Sequence, residues 1–307
     1  MHKVRLLLLI LTCTPACQDS PYGQESADSR GFRVVSLHPT ATEIIAGIGA
    51  AQDLVAATGS SGLSEFARRA THDTPQLAAG PVSVEGLVAL RATHVFGTES
   101  SLEEQPTLQH SLQQLGIESH FLDPGSLAEL WFVIEQCGRV LNRVDAAQVW
   151  TSGLQDQVAR LETLDTPSGE AVRVFFYDCC DPPFTAGGRV PLNELLAPLG
   201  ARNIFDDLDQ DWSPVSWEAV IARDPELIIV HEYEFKGQKA ASAKIEHLQS
   251  MGFAQEITAI RNGSFAVIPL ALVLEGPRTL EAIARLQEPL KKARSLRQSA
   301  KAEGEAR

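Results

Sequence analysis

Two histidines stand where chemistry could use them. His38 and His231 each end a run of β-branched and apolar residues, one in each half of the chain. Loops at the carboxyl ends of strands are where α/β sheets meet ligands. With Glu99, Asp181, Glu232 and Tyr233 close in the pattern, a nitrogen and oxygen set for a borderline metal can be drawn. For each histidine, an ordinary hydrogen-bonded residue at a loop is the simpler reading, so no metal ligand is assigned. Reaction chemistry has less support. The chain lacks G-x-S-x-G, H-E-x-x-H and any phosphate loop, and Gly187-Gly188 has neither the lysine nor the spacing of a phosphate cradle. A metal-dependent hydrolase built from His38, His94, His231 and Asp181 would need ligands from both halves, which the spacing does not support. The pattern is that of a binding protein, not an enzyme.

The other chemically capable side chains fit that reading. Trp212 sits in the polar, loop-like Asp211-Trp212-Ser213-Pro214 and suits a ligand platform. Trp217, beside Glu218 on a helix, suits packing or partner contact, and Trp131 and Trp150 suit the core. Arg189 and Arg278 offer bidentate contacts to anionic groups, although Arg278 at the start of the last helix has an equally good structural role. Of the cysteines, Cys137, Cys179 and Cys180 remain once Cys13 and Cys17 are assigned to export and lipidation. Adjacent cysteines bond to each other only with backbone strain, and the sequence leaves the pairing open.

The elements that position these residues are legible. Val172–Tyr177 reads as a buried strand that breaks at Asp178-Cys179-Cys180-Asp181-Pro182-Pro183. Pro191 opens a helix with Leu192, Leu195, Leu196 and Leu199 on one face, closed by Gly200. Ser216 caps the next helix, and the strand Glu226–Val230 leads to His231. The same grammar occurs earlier. Val82-Ser83-Val84-Glu85-Gly86-Leu87-Val88-Ala89 aligns with Val215-Ser216-Trp217-Glu218-Ala219-Val220-Ile221-Ala222, and Arg33–His38 with Arg173–Asp178. Two distant copies predict two similar α/β lobes rather than a solenoid. Thr40 with Glu43 reads as a capping box for the first helix, and Thr98–Glu104 as irregular. Ser126 starts a mostly helical stretch to about Leu164, bent near Gly138–Asp145, which serves as a rigid strut. A final helix spans Pro277–Leu296, followed by a solvated tail.

Composition and termini set the context. At 307 residues, 44% hydrophobic and 21% charged, the chain has ample core. A net charge of −13 without a basic patch argues against nucleic acid. Lys3 and Arg5 before the apolar Leu6–Leu11 predict a signal peptide, and Thr14-Pro15-Ala16-Cys17 resembles a bacterial lipobox with Cys17 lipidated, a soluble secreted form cut near Ala16 being the alternative. The expected organisation is a signal peptide over 1–16, a tether over 17–31, an N-terminal lobe over 32–144 and a linker helix over 145–165. A C-terminal lobe over 170–296 and a charged tail over 297–307 complete it.

Taken in order, several motifs resemble the class III periplasmic substrate-binding proteins of ABC importers, the group handling vitamin B12, ferric siderophores and haem. They are RVVSLHPTATEIIAGIGAAQDLVA, SVEGLVAL with its following strand, LQQLGI, PPFTAG, ARNIF and WSPVSWE. The resemblance covers Phe32 to about Leu290 and is greatest to the family's vitamin B12-binding branch. It implies two α/β lobes joined by a long helical linker, with the ligand cleft between them. It implies ligand contacts from Trp212, Phe184 and Pro183, with His38, His231, Tyr233, Thr98 and Arg278 also near the cleft. Where the branch has first-lobe tryptophans, this chain has Ala78 or Ala79 and about Thr98. Glu85 and Glu218 match the glutamates that dock on permease arginines, a role that charge complementarity on two rigid lobes would serve. A first-turn partner for each helix dipole is the alternative. The implied partners are an ABC permease with its ATPase, a small-molecule ligand (cobalamin, haem or a ferric siderophore, with no intrinsic cofactor) and the membrane, for a monomer held outside the cytoplasm. A Zn or Mn importer's binding protein is the second reading.

Overall fold

The computed structural model describes residues 31–59, 62–78, 80–162, 169–233 and 240–305. The signal peptide, Cys17 and the tether up to residue 30 lie outside the described residues, as do Ala79 and linker residues 163–165.

Two parallel sheets organise the chain. The first takes its strands in the order β3 (Gln76–Leu77), β2 (Leu54–Thr58), β1 (Val34–Ser36), β4 (His94–Thr98) and β5 (Glu118–Leu122). Its crossovers are α1 (Pro39–Gly47), α2 (Glu65–Ala70), α3 (Val84–Ala89), α4 (Glu99–Glu104) and α5 (Leu108–Gln114). Two long helices follow, α6 (Leu127–Val140) and α7 (Val144–Glu162). The second sheet runs β11 (Phe265–Pro269), β10 (Leu227–Glu232), β6 (Val172–Tyr177) and β8 (Ala201–Asn203). Between its strands lie α8 (Leu192–Leu196), α9 (Trp217–Arg223), α10 (Ala241–Ser250) and α11 (Thr258–Arg261). A two-stranded antiparallel ribbon, β7 (Phe184–Ala186) with β9 (Trp212–Pro214), projects from this lobe, and α12 (Ala282–Glu305) closes the chain.

The internal repeat is built as the alignment requires. β1 pairs with β4 beginning at Val34 and His94, and β6 pairs with β10 beginning at Val174 and Leu227. Ser83 and Ser216 cap α3 and α9 through hydroxyl oxygens that accept from Gly86 and Ala219 amides at 3.1 and 3.2 Å. Each helix ends at a residue with positive φ, Arg91 at 51° and Asp224 at 38°. The aligned arginines then meet those helix ends. Arg33 Nε donates to the Leu90 carbonyl at 2.9 Å, and Arg173 Nε to the Asp224 carbonyl at 2.7 Å. Both arginines satisfy carbonyls that a helix terminus leaves without partners.

Strand alternation divides the core. Val34, Val174, Phe176, Leu227 and Ile229 point into one apolar cluster that also holds Ile44 of α1, Ile134 of α6, Leu154 of α7 and Leu290 of α12. Their neighbours Phe175, Tyr177, Ile228 and Val230 point the other way into a core private to the second lobe, and Val35 and Val95 into one private to the first. Sheets covered on both faces read as continuous apolar runs, which is why these strands were recognisable. The central cluster spans both lobes and the helices between them, so the lobes share packed side chains as well as a chain crossing.

Three local expectations change. The first helix is capped by His38, whose Nδ1 accepts the Thr40 amide at 3.2 Å with Pro39 in the first turn, while Glu43 accepts from the backbone N–H and hydroxyl of Ser64. Thr98–Glu104 is not irregular: Thr98 caps α4. The helix past residue 296 is no frayed tail through residue 305, because Arg297 reaches Glu226 at 3.3 Å and the Glu170 carbonyl at 2.6 Å.

The strut is bent where two helices nearly touch. A Cβ on Gly138 would collide with the Ala147 side chain and press on the Arg143 carbonyl. Gly138→Ala is therefore expected to push α6 and α7 apart and destabilise the protein by about 1–3 kcal/mol, read as a lower denaturant midpoint with an unchanged m-value.

Candidate ligand-binding site

The carboxyl ends of both sheets open on one cleft of about 650 Å³. His38 follows β1, Thr98 ends β4 and Asp123 follows β5 on one wall. The other wall is the β7–β9 ribbon with Arg189 and the 209–211 loop, and Leu274 and Glu275 reach in from the segment after β11. Of the residues expected at the ligand, His38, Thr98, Phe184 and Trp212 line this cleft, whereas Pro183, His231, Tyr233 and Arg278 do not.

The ribbon makes an aromatic platform. Phe184 lies diagonal to Trp212 across β7 and β9, a position from which large side chains on one face meet. Their rings stack with centroids 6.1 Å apart and planes 18° from parallel. Pro183 is buried behind them and accepts from the Val215 amide at 2.9 Å. Gly187 and Gly188 let the 206–210 backbone come close, since a Cβ on either would strike a carbonyl of that loop. The Gly188 amide donates to the Leu208 carbonyl at 2.7 Å and that of Gly187 to the Asp211 carbonyl at 2.8 Å. The glycine pair thus positions the loop leading into Trp212. The indole Nε1–H donates to Glu275 at 2.8 Å, which fixes the ring.

Neither histidine presents a lone pair to the cleft: that of His38 is taken up by a helix amide, and His231 is buried away from the lining. His38 uses Nδ1 as a helix-cap acceptor, so the proton of its neutral ring sits on Nε2 and makes it a hydrogen-bond donor. Burial lowers its pKa to about 4, so it is neutral at physiological pH. His231 is wholly buried and packs edge-on against Trp212 at 5.4 Å. Its Nδ1 lies 3.0 Å from Asp178, which also accepts from the Tyr233 hydroxyl at 2.5 Å. Burial opposes the Asp178 charge, but the His231 and Tyr233 hydrogen bonds outweigh it and hold its carboxyl below the usual range. An ionised Asp178 puts the His231 proton on Nδ1; its Nε2 has no hydrogen-bond partner among the described residues. Lys244 donates to the His231 carbonyl at 2.7 Å and lies 4.0 Å from the Tyr233 ring centre. This network supports the platform from behind. Beside it, Cys179 and Cys180 are disulfide-bonded to each other, while Cys137 is a buried thiol whose pKa burial pushes up to about 12.

The arginines expected to meet anions are already engaged. Arg189 pairs with Asp123 and Asp211, each at 3.1 Å. Arg278 pairs with Glu281 at 2.9 Å and donates to the Gly62 carbonyl, which fastens the start of the last helix to the first lobe. Asp123, Glu103 and Glu275 were not found from sequence, because they come from separate elements, one helix and two loops, with no spacing rule. Glu85 and Glu218 are exposed in the first turns of α3 and α9. Hydrogen bonds from its own amide and from Ser83 lower the Glu85 pKa.

Glu275 gives the site a pH signature. Burial raises its pKa from 4.5 to about 7, with Asp211 and Asp123 adding to the rise against opposing hydrogen bonds. Between those two values the unfolded chain ionises while the folded one keeps its proton, so this group's contribution to stability falls as pH rises. Glu275→Gln keeps an acceptor for the indole. The variant is expected to match the parent near pH 4.5 and to gain about 1–2 kcal/mol on it by pH 7.5, measured by denaturant titration across that range.

Known proteins share the fold. Residues 34–272 match the periplasmic binding protein family. The vitamin B12-binding protein of Pectobacterium carotovorum is 26% identical over 200 residues, covering 64% of this chain and 70% of that protein. A periplasmic binding protein from Veillonella parvula superposes with a TM-score of 0.76 at 22% identity, covering 85% of this chain and 92% of the other. The periplasmic haem-binding protein of Vibrio cholerae gives 0.69 at 21% identity over 84% and 98%. With a two-lobed α/β fold and a family match over most of its length, the chain belongs to the periplasmic binding protein family of substrate-binding proteins.

Proposed function

We propose that the protein captures a bulky metal chelate, cobalamin or a related corrinoid or iron chelate, in the inter-lobe cleft and delivers it to an ABC permease. The observation that carries this reading is the stacked Phe184–Trp212 pair, held by Glu275 on one wall of a cleft of about 650 Å³. A broad, flat apolar surface with polar groups around it suits a macrocycle or chelate better than a small ion. The relatives' names point the same way, one binding vitamin B12 and another haem. His38 and His231 do not suit the alternative of a Zn or Mn importer, because one has its lone pair on a helix amide and the other is wholly buried. Among the described residues no three His, Cys, Asp or Glu side chains form a metal-holding group. The sequence supports export by a signal peptide and anchoring through Cys17, in line with a family that works outside the cytoplasm.

The ligand reading is tested by tryptophan-fluorescence titration of residues 18–307 with cobalamin, haemin and a ferric hydroxamate. One of them should quench saturably, and Trp212→Ala should weaken it by at least about tenfold. A chain that ignores all three and is thermally stabilised by Zn²⁺ or Mn²⁺ would contradict it. Delivery rests on Glu85 and Glu218, equivalent residues of the two repeats and both exposed. Reversing both charges (Glu85→Lys with Glu218→Lys) should abolish cellular uptake of the ligand while leaving its affinity for the purified protein unchanged.

A further inference from the structure

The cleft is unevenly charged. Glu99 and Glu103 of α4, Asp123 after β5, Asp209 and Asp211 before β9, and Glu275 all line it. Among them stand one arginine, Arg189, and the neutral His38. Arg189 is shared between Asp123 and Asp211, so that trio keeps a net negative charge when both carboxylates are ionised. Glu99, Glu103 and Asp209 have no ion pair among the described residues, and Glu275 accepts its side-chain hydrogen bond from an indole, a neutral donor.

The carboxyls beside the aromatic platform are shifted upward. Burial and the neighbouring Asp123 raise the Asp211 pKa to about 6, and burial with the fields of Asp211 and Asp123 raises that of Glu275 to about 7. Both hold protons more readily than ordinary carboxyls, first because burial desolvates their charge and second because neighbouring carboxylates repel it. The cavity and its stacked rings locate the site independently of these acids. What the acids add is a sign.

Building on the reading above, we infer that the cleft selects chelates of positive charge and rejects those that carry carboxylates. The ligand rests a face on Trp212 and Phe184 and turns its cationic edge toward Glu99, Glu103, Asp209 and Glu275. A tetrapyrrole with ionised propionates would bring like charge against the same groups, an arrangement that disfavours a wrong ligand by repulsion.

The test is a charge ladder on constant frameworks, run with the full chain at pH 7 and low salt. One series is aquacobalamin (+1), cyanocobalamin (0) and a cyanocobalamin monocarboxylate (−1). The other is ferrioxamine B (+1) with its N-acetyl (0) and N-succinyl (−1) forms, and haemin adds a carboxylate-bearing macrocycle. In the series that binds, affinity should fall by about tenfold per unit of charge from cation to anion. The ladder should flatten in 0.5 M salt, a Debye length of roughly 4 Å, and in the double variant Glu103→Gln with Asp209→Asn, both exposed positions. Calorimetry at pH 6.5 in two buffers of different ionisation enthalpy should show the cation releasing protons from Asp211 and Glu275. Equal affinity along the ladder, tighter anions or proton uptake by the cation would each overturn the inference while leaving the importer reading intact. Binding of none of the probes would overturn both.

Discussion

The cleft depends on an apolar core that is not divided at the lobe boundary. Val34 and Phe96 of the first sheet and Phe176 and Ile229 of the second belong to one cluster, filled out by α6, α7 and α12. Burying each such side chain contributes about 1.5–3 kcal/mol, and a wide lobe rotation would expose many of them together. Polar contacts bridge the same boundary. Arg189 reaches Asp123, and Glu194 of α8 in the second lobe accepts from the Leu127 amide at 2.8 Å. The Arg278 guanidinium holds the Gly62 carbonyl. A cleft built on such a base is largely set before its ligand arrives.

Within that cleft each group constrains the next. The glycine pair admits the 206–210 loop, and the loop leads into Trp212 on the ribbon. Glu275 orients the indole from one side, and His231 packs against its ring from another. His231 is itself held by Asp178 and Lys244. The result is an aromatic surface fixed by polar groups that face away from it or around its rim. The histidines contribute donors and packing, so the binding chemistry is stacking, hydrogen bonding and charge.

Much of this fold was legible because its signals are local. Val172–Tyr177 and Glu226–Val230 announce themselves as strands covered on both faces, and Ser83 and Ser216 as helix caps. The two copies of the repeat are paired alike in the structure, β1 with β4 and β6 with β10. Local reading failed where two local answers compete. Thr40 looked like the better cap, but Pro39 in the first turn moves the cap back to His38. The segment after residue 296 is exposed from residue 298 to 303 as read, but it stays helical through residue 305, and Arg297 at its start is held by Glu226, remote in sequence. The same limit governs the site. Trp212 and Phe184 stood out by type, whereas Asp123, Glu103 and Glu275 converge only when one helix and two separate loops fold together. Arg278 was drawn toward the ligand by its chemistry, and a carbonyl some two hundred residues away claims it instead.

The claim that a shared core presets the cleft is tested most directly by small-angle X-ray scattering of the chain, free and saturated with the chelate that binds it. The account predicts nearly superimposable profiles with at most a slight contraction, because closure must stay within what the packed helices allow. A bound profile that requires a large hinge rotation of one lobe would contradict it.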